Sequence, residues 1–344
     1  MHNVTAFSAL KAPRAAMRTL FYRIENCVVI DRVNEGRTIM AWKTAVKKNK
    51  RDINKTGYLF VAPFVIVFII FNIYPVLRTL YLSFTDYKGF GDPIFLGFDN
   101  YIRVFKDKFF WRDLFNTTKI WGVNIILQLG LAFLLIIIFS DIKYKIRGLS
   151  IFRALFYLPN LIAATSVAFL FKTLLDWKYG SINQLLINAG VIKHAINWLG
   201  STATAPYVIS VIGAWMWFGN SFIMLMAGVQ GISRDYFEAA AIDGAGRWRI
   251  FGQITIPLLK PILLYVGITS LIGGLQMFDL PFLMCGGTIG NPSGKTQTVV
   301  MYLYKFGFET NQVGFASAIA YTLFVIILFI SVIQFKVMYG KKNK

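Results

Sequence analysis

The stretch "EAAAIDGAGRWRIFGQITIPLLKP", Glu238–Pro261, carries two carboxylates, two arginines and a row of alanines between long apolar runs. Ser233 is a good N-cap, and Asp235 falls in the favourable first turn of the helix that follows. "DYFEAAAI" is made of helix formers, and Gly244 stops it, with a second short helix starting near Ala245. A helix this short is marginal by itself in water, so it needs a surface to dock on. Tyr236 and Phe237 offer apolar anchors, and Ala239–Ala241 a smooth face for close approach. Glu238 and Asp243 are acceptors for amides or arginine, within the chain or across an interface. Pro257 and Pro261 set the return to apolar sequence. From the residues alone, two readings stand side by side: an amphipathic linker lying on a membrane, or a docking element for another protein.

The surroundings decide where this stretch sits. Of 344 residues, 56% are hydrophobic and 15% charged, against about a quarter charged in soluble domains. About 20 apolar residues cross a bilayer as helix. Six stretches qualify, roughly Leu59–Phe84, Asn116–Phe139, Ile151–Leu175, Tyr207–Gln230, Leu258–Cys285 and Phe315–Val337. The predicted fold is an all-α integral membrane protein of six transmembrane helices, with a cytoplasmic helix between spans four and five. The third and fifth spans carry Pro, Asn, Gln and Asp, so part of their surface faces protein or water.

An even number of spans puts both termini on one side. The segments 1–57, 141–153, 232–260 and the tail after Phe335 hold 24 Lys and Arg; the loops 85–115, 172–205 and 285–312 hold 10. The positive-inside rule makes the first set cytoplasmic, with the opening stretch among it. The net charge of +20 is spread beside apolar runs in this way, which disfavours nucleic acid as partner. Residues 1–57 read as a basic cytoplasmic segment, partly disordered, and 58–340 as the six-span domain with its loop at 232–257. Met40 is a second candidate start, which would make 1–39 an extension of the gene or a mobile tail. The first apolar run is too long and too far in to be a cleaved signal.

Several motifs carry no chemistry. Cys27 and Cys285 are far apart without nearby ligands, so neither a disulfide nor a metal site is expected. "GNPSGKT", Gly290–Thr296, resembles a phosphate loop but has Ile289 where the motif needs Gly. The two histidines, His2 and His194, join no catalytic set. No cofactor is expected.

Glu238-Ala239-Ala240, Asp243-Gly244-Ala245, then Phe251, Ile254, Pro257 and Pro261 resemble the EAA loop of permease subunits in binding-protein-dependent ABC importers. "FRALFYLPNLIAATSVAFLFKTLLDWKYGSINQLL" (Phe152–Leu186), "GLQMFDLPFLMCGG" (Gly274–Gly287) and "TQTVVMYLYKFGF" (Thr296–Phe308) are similar to its carbohydrate branch, of maltose and multiple-sugar type. The resemblance covers about 57–340 and implies a permease that is not an enzyme, in a bacterial plasma membrane. The partners it implies are a second permease subunit, two ATP-binding subunits, an extracytoplasmic solute-binding protein and a sugar or oligosaccharide. Glu238, Ala239, Ala240, Asp243, Gly244, Ala245, Ile254 and Pro257 would couple to the ATPase, with Glu238 and Gly244 central.

A sugar path wants aromatic faces and amides or carboxylates. The resemblance and composition together point to Trp215, Phe218, Gly219, Asn220 and Phe222 in span four, and Gly273, Gln276 and Asp279 in span five. Gly273 stands where the maltose-type pattern has Asn, a departure that removes one hydrogen-bonding group. Asp279 inside an apolar span calls for a partner or water, and Arg78 of span one or a residue of a partner subunit is the candidate partner. The competing functions are the same architecture importing glycerol phosphate or an acidic oligosaccharide, a stand-alone channel or carrier, and a membrane enzyme using Asp176 or Asp243. A stand-alone carrier predicts acidic relays and inverted repeats, of which one acid and no repeat are found.

Overall fold

The computed structural model of the chain describes residues 57–139 and 148–339. The N-terminal segment 1–56, including the second candidate start at Met40, lies outside the described residues, as do 140–147 and the last five positions. The described residues fall into two units, divided between Pro75 and Val76. Helix α1, Gly57–Ser83, lies partly in each, with a π turn at Ile69–Ile73. In the first unit Phe64 and Phe68 stack on the same helix face, one turn apart.

In the second unit a two-residue hairpin, β1 (Thr85–Asp86) with β2 (Ile94–Phe95), is antiparallel with Thr85 opposite Phe95. Its interior is tied down by Asn100, whose amide donates to the Ser83 and Thr85 carbonyls at 3.0 and 2.9 Å. Then come α2 (Asp99–Lys106), α3 (Lys108–Phe139), α4 (Leu149–Leu161), α5 (Ala164–Leu174), α6 (Ser181–Asn188) and α7 (Ala205–Gln230). The chain continues with α8 (Arg234–Ile242), α9 (Arg247–Ile250), α10 (Lys260–Leu275), α11 (Asp279–Met284), α12 (Val299–Tyr304) and α13 (Val313–Tyr339). Among the described residues five helical spans are long and apolar enough to cross a membrane, and α4 with α5 makes a sixth if that bent pair is one span.

Helix α3 organises the unit. At 1.5 Å per residue it is about 48 Å long, more than a hydrocarbon core needs. It starts at Lys108, eight residues before the expected boundary, because Asp113, Asn116 and Thr117 are buried against other parts of the chain rather than left to lipid. Asn116, Ile120, Asn124, Gln128, Ala132 and Ile136 recur every four residues, and all are buried. This stripe feeds three apolar clusters. Phe110 joins Leu271, Leu275, Tyr302 and Ile319; Ile120 joins Val167, Ile212, Met216 and Leu280; Ala132 and Ile136 join Phe222, Met226, Phe237 and Val266.

Two expected spans are not continuous. The third is bent by 87° between α4 and α5. Pro159, in the last turn of α4, has no N–H for Leu155 and crowds the preceding turn, so the helix ends at Leu161 and Ile162 turns to extended backbone. The fifth breaks at Gln276–Phe278, between α10 and α11.

Candidate functional site

The opening stretch folds as a capped helix, and its cap is legible residue by residue. Ser233 Oγ accepts from Asp235 N at 3.4 Å, and Asp235 adds a carboxylate to the first turn. At the other end Gly244 adopts φ +72°, a conformation that costs other residues about 1–2 kcal/mol. Ala245 N donates to Ala240 O at 2.9 Å and Gly244 N to Ala241 O at 3.2 Å, the paired bonds of a Schellman cap. The second short helix begins at Arg247, two residues later than expected, after this turn.

One face of α8 is docked on its own chain. Phe237 is 6% exposed and packs in the cluster of α3, α7 and α10, and Ala240, one turn on, is buried as well. Ile254, in the π turn Phe251–Thr255, packs on the same cluster, and Phe251 meets Phe133 edge-on at 5.7 Å. Tyr236 does not anchor the helix as expected: it is exposed, because it lies one residue, about 100° around the helix, from Phe237. The other face is open. Glu238, Ala239, Asp243, Gly244 and Pro257 are exposed, Ala245 half-buried, and Ile242 and Trp248 are 87% and 74% exposed. Among the described residues neither the Glu238 nor the Asp243 side chain has a hydrogen-bond or ion-pair partner.

A cavity of about 300 Å³ lies between α3, α7 and the break in the fifth span. Asn220, Gly273, Gln276 and Asp279 line it, together with Trp121, Asn124 and Gln128 of α3, Trp217 and Ser221 of α7, and Thr269 and Ser270 of α10. Gln128 Nε2 donates to Ser221 Oγ at 2.6 Å, Asn124 Nδ2 to Ser210 O at 3.3 Å and Trp121 Nε1 to Ser270 Oγ at 3.3 Å. The buried amides are thus held in place by neighbours.

The remaining span-four residues face elsewhere. Trp215 packs edge-on against Phe171 of α5 at 5.4 Å, and Phe218 against Phe156 of α4 at 5.9 Å. Phe222 is fully buried against Phe156 and Phe139. At Gly219 a β-carbon would collide with the Phe156 carbonyl, so this glycine sets the closeness of α4 and α7. Helical phase explains the division: 217, 220, 221 and 224 turn to the cavity, and 215, 218, 219 and 222 to the broken third span. Asp279 is exposed and unpaired with Arg78, which lies 5.6 Å from the Tyr81 ring instead. The α3 contribution was missed; its signal is the run of polar residues at spacing four in an apolar helix.

The loop 286–298 is stitched to the start of α3. Asn116 Nδ2 donates to Gly294 O at 2.8 Å and to Gln297 O at 3.3 Å; Arg112 bonds Gln297 and pairs with Asp113 at 2.8 Å. Thr298 Oγ1 donates to Met277 O at 2.8 Å and accepts from Met301 N, capping α12. Burial, then the bond to the Asp107 carboxylate, raises the Tyr302 phenol well above its ordinary range, so it remains a donor. "GNPSGKT" forms part of this turn and follows a 3-10 turn rather than a strand.

A helical bundle with broken spans, a polar cavity and a short helix docked on it fits a multi-pass membrane protein. The chain belongs to the binding-protein-dependent transport system inner membrane component family, whose model matches residues 142–342. It is 34% identical to the lactose transport system permease protein LacF of Rhizobium radiobacter, over 86% of this chain and 97% of that protein. To the trehalose/maltose transport system permease protein MalF of Thermococcus litoralis it is 32% identical, over 82% and 93%. Its fold matches a bacterial ABC transporter chain involved in import of the acidic polysaccharide alginate, with a TM-score of 0.73 at 22% identity, covering 87% of this chain and 100% of that one. The same score is reached with that transporter bound to an alginate pentasaccharide-loaded periplasmic protein. The chain is therefore a carbohydrate-type ABC permease of the inner membrane. It is not itself an enzyme, ATP being hydrolysed by partner chains, and its transporter works with a solute-binding protein.

Proposed function

We propose that this chain forms part of the path of an ATP-driven importer of a sugar or oligosaccharide, and that α8 with Gly244 couples it to a separate ATPase. Six spans, with both termini and α8 in the cytoplasm, follow from the basic-residue bias and from counting the bent pair α4–α5 as one crossing. The observation that carries the coupling role is the two-sidedness of α8. Phe237 fixes it to the span bundle, while Ala239 is exposed and the exposed side chains of Glu238 and Asp243 have no partner among the described residues. Force applied to the open face is transmitted directly into α3, α7 and α10. A second, similar permease would complete the path, and two ATPase subunits would supply the free-energy difference between gate states. Asn220, Gly273, Gln276 and Asp279 line the path in this reading. Trp215, Phe218, Gly219 and Phe222 support its wall from behind.

The test is co-purification of the tagged chain with its associated proteins. Wild type should bring down an ATPase whose hydrolysis is stimulated by sugar and binding protein. Glu238→Lys and Gly244→Arg should lose the ATPase or the stimulation. A purified chain that moves solute alone, equally well in both variants, would show a stand-alone carrier.

A further inference from the structure

The cavity is one-sided in charge. Among the described residues its lining holds one carboxylate, Asp279, and no lysine, arginine or histidine. Asp279 is exposed, and among the described residues it has no hydrogen-bond or ion-pair partner. Every other polar side chain facing the cavity is neutral: the amides of Asn124, Gln128, Asn220 and Gln276, and hydroxyls such as Ser270. Two cations of α3 outside the lining are engaged elsewhere, Lys119 over the Tyr207 ring and Arg112 with Asp113 and Gln297. Helix α10 ends at Leu275 and α11 starts at Asp279, so a helix C-terminus and a helix N-terminus meet at the break and their partial charges oppose each other, leaving the Asp279 carboxylate as the full charge there.

We propose that Asp279 is a specificity-determining residue that makes this half of the path accept uncharged glycans and reject anionic ones. The proposal rests on the reading of the chain as a sugar-import permease. The fold alone leaves the charge of the cargo open, since the matching alginate transporter chain handles an acidic polysaccharide. A neutral glycan offers hydroxyl donors to the carboxylate and to the amide oxygens. A carboxylated or sulfonated one brings a second negative charge into a site with nothing to neutralise it. At roughly 8 Å and an effective dielectric near 40, that repulsion is worth about fivefold in occupancy per charge.

The experiment uses the assembled transporter with Cys27 and Cys285 replaced by Ser and with Gln276→Cys in the cavity. Labelling rates are measured with two methanethiosulfonates, one bearing an ammonium and one a sulfonate, and normalised to a free thiol in solution. The ammonium reagent should be favoured at least about tenfold. Asp279→Asn should bring the ratio to within about twofold of the free thiol, and Asp279→Glu should keep it. A flat ratio in the parent, or a ratio that Asp279→Asn leaves unchanged, overturns the proposal. So does ATP hydrolysis stimulated by alginate trisaccharide. The import reading is judged separately: if the ratio behaves as expected and no sugar stimulates hydrolysis, that reading fails and the charge filter stands. If a neutral sugar stimulates hydrolysis and the ratio is flat, the filter alone fails.

Discussion

The loops at 286–298 and 232–257 both carry several polar side chains, yet they are finished in opposite ways. In the first, Gln297, Thr288 and Thr298 are buried and find partners inside the chain, and Asn116 of α3 bonds the loop's backbone. In the second, Glu238 and Asp243 find none, and Ile242 and Trp248 stand in the open. A polar residue satisfied in its own chain contributes to folding. One left unsatisfied on a rigid, capped helix contributes to whatever docks there. The contrast separates residues that build this permease from residues that connect it to something else.

The largest effect on stability should therefore lie in the first loop. Asn116→Leu removes the amide donor from the buried Gln297 carbonyl and leaves the Gly294 carbonyl only the 3.4 Å bond from Gln297 N, and is expected to cost about 3 kcal/mol. Thermal unfolding of the detergent-solubilised protein measures it; a melting temperature equal to wild type would mean water replaces the amide and the loop is not self-contained. Thr298→Val keeps the shape but removes the cap on α12 and the bond to Met277 O. The expected loss is about 2 kcal/mol by the same assay.

These two regions also differ in how they could be read from sequence. The loop 232–257 is governed by neighbours in sequence: a Ser cap, an acidic first turn, a Gly stop. Each acts within a few residues, so the helix and its end were legible at Ser233, Asp235 and Gly244. The clasp was not, because Asn116 and Gly294 are far apart in sequence and nothing local announces their meeting. The same limit divided the cavity. Asn220, Gln276 and Asp279 were visible as polar residues in apolar spans, but the partition of span four depends on the bend at Pro159, which places α4 against Phe218 and Phe222. Trp121, Asn124 and Gln128 were hidden in a span whose mean hydropathy is high. Tyr236 and Phe237 looked alike as anchors; which one faces the bundle is a matter of helical phase relative to a surface the sequence does not specify.

A smaller effect is expected at Gly244. A β-carbon there would meet nothing within 4 Å, so Gly244→Ala tests the backbone alone. The positive φ should make it cost about 1 kcal/mol. The loss should appear in exchange protection of the 234–245 amides rather than in global unfolding, since only the end of α8 frays. If the cost were carried by the whole bundle, α8 would be part of the folding core and the contrast with the clasp would narrow.

The smallest stability effect of all should come from the residue with the largest proposed functional one. Glu238 is exposed and unpartnered, so Glu238→Lys removes no contact of the isolated chain and should leave its melting temperature unchanged. In the assembled transporter the same substitution should abolish stimulated ATP hydrolysis, because it reverses charge on the open face of α8 while Phe237 still holds the helix in place. The pairing of results is what matters. Unchanged stability with lost coupling marks a surface built for another subunit. A destabilised chain would mean that Glu238 serves its own fold, and then the open face of α8 would have to be assigned to the bilayer instead.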